Sequence, residues 1–167
     1  MRSSVVFVCT GNICRSPTAE GISRRMIANA GLSEQIIVDS AGTHGYHVGE
    51  PPDLRMQEAA ARRGYDLSGL RARKFVRDDF QRFDLVLAMD RDNHALLSSL
   101  AGATADSKLR MMMQYARRFD EKDVPDPYYG GPSGFERVLD MLEDAVQGLL
   151  DALRGGNASL AAPPDKR

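Results

Sequence analysis

Cysteine is scarce in this 167-residue chain, with Cys9 and Cys14 the two present and both near its start. Two cysteines are too few for a disulfide framework, and their spacing does not suit a zinc site, so both are expected to serve local chemistry. Charge of one sign is also missing. Lys and Arg number 22 against 23 Asp and Glu, a net charge of -1, which gives no reason to expect nucleic acid or a membrane surface as a partner. No apolar run approaches the length of a membrane span, and the opening Met-Arg-Ser-Ser-Val lacks the apolar stretch of a secretion signal, so the expected location is the cytoplasm. Two common phosphate-loop patterns are absent as well. There is no Gly-x-x-x-x-Gly-Lys-Ser/Thr, and no Gly-x-Gly-x-x-Gly follows the first apolar run, which removes the usual signatures of nucleotide binding.

What is present is concentrated between Val5 and Pro17. Val5 to Val8 is an unbroken β-branched and aromatic run, the pattern of a strand buried on both faces of a parallel sheet. After Cys9 the pattern turns helical: Ser16 is a possible N-cap, Pro17 suits a first turn, and Ala19, Ile22, Met26 and Ala30 share one face. Cys9 to Arg15 is therefore a strand-to-helix turn, which aims backbone N–H groups and a helix N-terminus at one point, as an anion site requires. Gly11 and Asn12 accept positive φ and let the chain curl. Arg15 offers a planar fork to two oxygens of a bound phosphate. These groups favour an anion at Cys9, so it is expected to react as the thiolate, as a nucleophile in a cradle.

The rest of the chain reads as one domain over residues 1–154, followed by a low-complexity stretch at 155–167 expected to be disordered. Three further short apolar runs, Ile36–Val38, Leu85–Met89 and Leu109–Met113, are expected strands. Between them lie helical patterns: one capped by Asp53 and carrying Met56, Ala59 and Ala60, another capped by Asp90 and carrying Leu96, Leu97 and Leu100. Ser133 and Glu136 suit a capping box for a last helix whose apolar face runs from Phe135 to Leu153. Alternating strands and helices imply an α/β fold, a small doubly wound four-stranded parallel sheet with helices on both faces. Ligands of such sheets bind at the carboxyl ends of the strands, where the Cys9 turn lies.

Two other loops reach toward that end. The glycine- and proline-rich stretch Ser40–Asp53 brings His44, Tyr46 and His47, and the stiffened Asp123-Val-Pro-Asp126-Pro-Tyr128-Tyr129 can hold one carboxyl in place. Asp123 and Asp126 are rival general acids on this reading. The basic stretch Arg71–Arg77 reads as a solvated face.

The paired motifs Cys9-Thr-Gly-Asn-Ile-Cys-Arg15-Ser-Pro and Asp126-Pro-Tyr-Tyr resemble those of the low-molecular-weight protein tyrosine phosphatases, over nearly the whole chain. The resemblance implies a flavodoxin-like strand order 2-1-3-4 and hydrolysis of phosphotyrosine in proteins through a cysteinyl-phosphate, with neither metal nor cofactor. It implies Cys9 as nucleophile, Arg15 as phosphate ligand and Asp126, rather than Asp123, as acid and base. Thr10, Gly11, Asn12, Ile13, Cys14 and Ser16 complete the phosphate loop, with the Ser16 hydroxyl directed at the Cys9 sulfur, Asn12 shaping the loop and Asp90 nearby as support. Tyr46, Tyr128 and Tyr129 are expected to wall a substrate cleft. Cys14 is either a buried spacer or a redox partner that captures oxidised Cys9, and the resemblance favours the second. Three rivals remain: an arsenate reductase, which needs cysteines beyond Cys14; a protein arginine phosphatase, whose loop typically has Thr where Ile13 stands; and a silent phosphoprotein-binding module.

Overall fold

The computed structural model describes residues 2–102 and 107–154. The expected tail at 155–167 lies outside the described residues. Four parallel strands, β1 (Ser3–Cys9), β2 (Ile36–Gly42), β3 (Leu85–Ala88) and β4 (Leu109–Met111), form one sheet in the order β2-β1-β3-β4. The helices are α1 (Arg15–Asn29), α2 (Leu54–Arg62), the single turn α3 (Asp79–Arg82), α4 (Arg91–Ala101) and α5 (Pro132–Arg154).

The unrelieved apolar character of β1 follows from cover on both of its faces. Val5, Phe7 and Cys9 join a core built with α1, α2 and α5, while Val6 and Val8 join a second core with Phe75, Phe80, Phe83 and Leu97. β1 is central, and the chain leaves it first for β2 on one side and later for β3 on the other. The strand order thus reverses at β1, whose carboxyl end carries Cys9, and such a reversal opens a crevice for ligands. In α5, Gly148 packs directly on the Tyr115 carbonyl, where any β-carbon would collide with the backbone.

Some local expectations need correction. The fourth strand stops at Met111, and Met112–Tyr115 forms a 3-10 turn that buries Met112, Met113 and Tyr115. Leu96 and Leu100 are exposed, so α4 buries Leu97 and Ala101 instead of a broader leucine face. Ser133 is no cap, because α5 begins at Pro132; Glu136 instead bonds to Arg62 and Arg63 across from α2. Nor does Ser16 cap α1, which begins at Arg15 with Cys14 in the cap position and no side-chain cap bond. Asp53 and Asp90 do cap α2 and α4, accepting from Arg55 and Asn93 N–H groups respectively.

Candidate active site

The loop between β1 and α1 is shaped from behind. Asn12 has φ 58°, a left-handed conformation that an asparagine tolerates, and its side chain is anchored on three sides. Its amide Nδ2 donates to Ser16 Oγ at 2.8 Å and Ser40 Oγ at 3.0 Å, while Oδ1 accepts from the Arg73 N–H at 2.9 Å. Ser40 in turn donates to the buried Glu20 carboxylate at 2.7 Å. Arg73 thus belongs to the support of the loop and is tied to Asp39 and Asp79, so the stretch Arg71–Arg77 is not merely a solvated face.

Outward-facing carbonyls of the loop are consumed by neighbours. Thr43, His44 and Asp53 N–H groups donate to the carbonyls of Cys9, Thr10 and Ile13 at 2.8, 3.0 and 2.9 Å. The N–H groups of Gly11 to Cys14 have no protein acceptor among the described residues, so the loop keeps donors for a bound anion at the N-terminus of α1. Gly42 lets the loop sit this close to β2, because a β-carbon there would lie 2.9 Å from the Thr10 carbonyl oxygen.

Arg15 is 2% exposed and held rigidly. One terminal nitrogen donates to Asp90 at 2.6 Å and to the Val124 carbonyl at 2.9 Å; the other lies 3.4 Å from Thr10 Oγ1 and 3.7 Å from an Asp126 oxygen. Burial opposes its charge, yet the Cys9 sulfur and the Asp90 and Asp126 carboxyls outweigh that penalty and raise its pKa above the ordinary value. The guanidinium is therefore a fixed positive charge beneath the cavity. Thr10 receives a second bond, from the Asn93 side chain at 3.1 Å.

A cavity of about 100 Å³ opens above these groups, lined by Cys9, Thr10, Gly11, Ile13, Cys14, Arg15, Tyr46, His47, Asp126, Tyr128 and Tyr129. Of the nucleophile, phosphate-loop, acid and cleft residues that the resemblance implies, all but Asn12 and Ser16 line it. The Ser16 hydroxyl is 3.0 Å from the Cys9 sulfur. Asp126 accepts from the Tyr128 N–H at 3.0 Å. Asp123 does not line the cavity; Arg91 grips it through side-chain and backbone donors, holding its carboxyl below the usual range although burial pushes the other way. Burial first, then the Asp53, Cys9 and Asp126 charges, push the Cys14 thiol far above the ordinary value, which favours its protonated form. His44 stacks on Tyr46 at 4.8 Å and does not line the cavity, whereas His47 does.

A buried cysteine, a buried guanidinium and a partly exposed carboxyl around one anion-sized cavity define a phosphate-handling site of the cysteine-nucleophile kind. The family profile described as low molecular weight phosphotyrosine protein phosphatase matches residues 4–159. A low molecular weight protein-tyrosine-phosphatase of Streptomyces coelicolor is 46% identical over 157 residues, covering 92% of this chain and 95% of its own. The human low molecular weight phosphotyrosine protein phosphatase is 41% identical over 137 residues, covering 81% of this chain and 85% of its own. Among solved structures, a protein tyrosine phosphatase from Entamoeba histolytica superposes with a TM-score of 0.89 at 42% identity, covering 92% of this chain and 98% of its own. The chain belongs to the low molecular weight protein tyrosine phosphatase family.

Proposed function

We propose that this protein hydrolyses phosphotyrosine in proteins, with Cys9 as nucleophile, Arg15 and the loop amides as phosphate ligands, and Asp126 as acid and base. The observation that carries the reading is the convergence of Cys9, Arg15, Asp126 and three tyrosines on one cavity.

In the first step the Cys9 sulfur attacks phosphorus in line, a P–S bond forms, and the P–O bond to the tyrosyl oxygen breaks as Asp126 gives that oxygen a proton. In the second, Asp126 takes a proton from water as the water attacks phosphorus and the Cys9 thiolate leaves, its charge eased by the Ser16 hydroxyl. The loop amides and Arg15 face the equatorial oxygens, where charge is carried through both transfers. All of this chemistry is available from the chain's own groups. Tyr46, Tyr128 and Tyr129 supply flat walls against which an aryl ester can lie while its phosphate reaches the floor. A phosphoserine side chain lacks that ring.

Cys14 supports a second, regulatory reading. Peroxide would convert Cys9 to the sulfenic acid with release of water, and the Cys14 thiol would then displace water to form a Cys9–Cys14 disulfide. Its raised pKa keeps Cys14 as the slower thiol, so capture is expected to be slow. The substrates are proposed to be tyrosine-phosphorylated proteins of the cytoplasm, with neither nucleic acid nor membrane as partner, in keeping with a net charge of -1; no helix among the described residues is long and apolar enough to cross a membrane.

The test is kcat/KM on phosphotyrosine and phosphoserine peptides of matched sequence. Strong preference for the first is expected. Equal rates would exclude the aromatic-cleft reading, and binding without turnover would make the protein a silent module.

A further inference from the structure

The segment that carries Asp126 is lightly tethered. Between Val124, bonded to Met89 and Arg15, and the start of α5, residues 125–131 receive few bonds from outside among the described residues: Arg15 approaches the Asp126 carboxyl at 3.7 Å, the Gly134 N–H donates to the Gly131 carbonyl at 3.0 Å, and one side-chain hydrogen bond reaches the backbone between them. Its donor is Arg55 in the first turn of α2, whose Nη2 lies 3.0 Å from the Tyr128 carbonyl oxygen. The same guanidinium stands 5.4 Å from the Tyr128 ring centre and 5.0 Å from that of Phe135, so it touches both the backbone and the face of this wall residue.

Arg55 is itself aimed. Its Nε and Nη2 donate to the two oxygens of Asp53 at 3.1 and 2.9 Å, a bidentate grip that fixes the plane of the fork. Asp53 caps α2, and its own N–H donates to the Ile13 carbonyl in the phosphate loop at 2.9 Å. A continuous chain of bonds therefore runs from Ile13 through Asp53 and Arg55 to Tyr128. It goes one step further, because the Tyr128 N–H donates to Asp126 Oδ1 at 3.0 Å.

We propose that Arg55 is a positioning residue that sets the Asp126 carboxyl and the Tyr128 ring in register with the phosphate loop. The inference rests on the phosphatase reading above. The Tyr128 carbonyl lies within the Pro127–Gly130 turn, which the Gly130 N–H closes on the Pro127 carbonyl at 3.0 Å, so a hold on that carbonyl steadies the turn and with it the Tyr128 N–H that orients Asp126. Lysine cannot replace it: an ammonium offers no planar fork to grip Asp53 with two donors while stacking on two rings.

The experiment compares Arg55→Met and Arg55→Lys with the parent on phenyl phosphate, whose leaving group needs a proton, and on 2,4-dinitrophenyl phosphate, whose leaving group does not. Competitive inhibition by inorganic phosphate is measured in parallel as a report on the cradle. The expected result is a kcat/KM loss of about 10-fold or more on phenyl phosphate and under about 3-fold on the dinitrophenyl ester, since misplacing a general acid affects only the ester that needs it. Phosphate inhibition stays within about 2-fold of the parent, and Arg55→Lys behaves like Arg55→Met. Equal losses on both esters, no loss on either, or loss of phosphate inhibition in both variants would each overturn the proposal, the last because Arg55 would then serve the fold. A parent inactive on both esters would overturn the phosphatase reading and this inference together, an outcome distinct from the others.

Discussion

In the phosphate loop, Cys9, Asn12, Cys14, Arg15 and Ser16 are all buried, and a web of side-chain bonds joins them to β2, α4 and the Val124 segment. Around the mouth, Tyr46, Tyr128 and Tyr129 are 69%, 36% and 90% exposed, and their ring contacts are with His44, His47, Arg55 and one another. The floor is built to hold one charge distribution without rearranging, which is where electrostatic catalysis gains most. The rim is built to accept varied surfaces, at the cost of few bonds holding the Asp126 segment. Substitutions in the floor are therefore expected to remove chemistry, and substitutions in the rim to alter selection.

The sharpest separation is expected at Asp126, which belongs to the rim by exposure and to the floor by its proposed role. Asp126→Ala should lower kcat/KM on unactivated aryl phosphates by roughly 10²–10⁴-fold, the usual worth of a general acid, and far less on activated ones. Equal losses on both would move the acid elsewhere. In the floor itself, Arg15→Lys should cost about 10²–10³-fold on every ester, because a point charge cannot grip two phosphate oxygens while bonding Asp90 and the Val124 carbonyl. Steady-state kinetics with inorganic phosphate as inhibitor would show whether binding falls with turnover, as this account requires.

The rim predicts a smaller and different effect. Tyr46→Ala and Tyr128→Ala should each narrow the preference for phosphotyrosine over phosphoserine peptides by about 5- to 10-fold, as expected for losing a ring contact worth about 1 kcal/mol beside some apolar burial. If the ratio is unchanged while both rates fall, the rings only pack their loops.

The smallest effect lies in the base beneath the rim, where α2 meets α5. Burial and the Glu143 carboxylate raise the Tyr65 hydroxyl from 10.0 to about 12. The folded state thus binds this proton more tightly than the unfolded chain, so the stabilisation is complete below pH 10 and is lost as pH rises toward about 12. Melting curves should show the parent above Tyr65→Phe at neutral pH, with the gap closing across that alkaline window. A gap that widens there would contradict the assignment.

How much of this was legible in the sequence follows the same division. The floor was readable because its parts are contiguous: a buried strand, a turn with Gly11 and Asn12, Arg15 and a helix start all fall between Val5 and Pro17. The sheet was readable for a similar reason, since β1 and β3 are unbroken apolar runs covered on both faces. What escaped depends on distant pairs. Asn93 reaches Thr10 across 83 positions and Arg55 reaches Tyr128 across 73, and no local spacing announces either. The same holds for Arg73 behind Asn12. The sequence pattern marks Asp90 as a helix cap, and resemblance alone puts it near the phosphate loop; it does both, and its bond to Arg15 appears only in the structure. Met112 and Met113 misled because apolar residues in a short run serve a strand or a tight turn equally well, and only packing against α5 decides between them.

The central claim is that phosphorus passes through the Cys9 sulfur, and rapid acid quench during turnover followed by mass spectrometry of the Cys9 peptide tests it most directly. Asp126→Ala with an activated aryl phosphate is the best sample, because slowed water attack should let the intermediate accumulate. The account predicts a phosphate adduct on Cys9 that forms at the rate of ester cleavage and is absent from Cys9→Ser, which should still bind phosphate. Turnover with no adduct, or with phosphate on any other side chain, would contradict it.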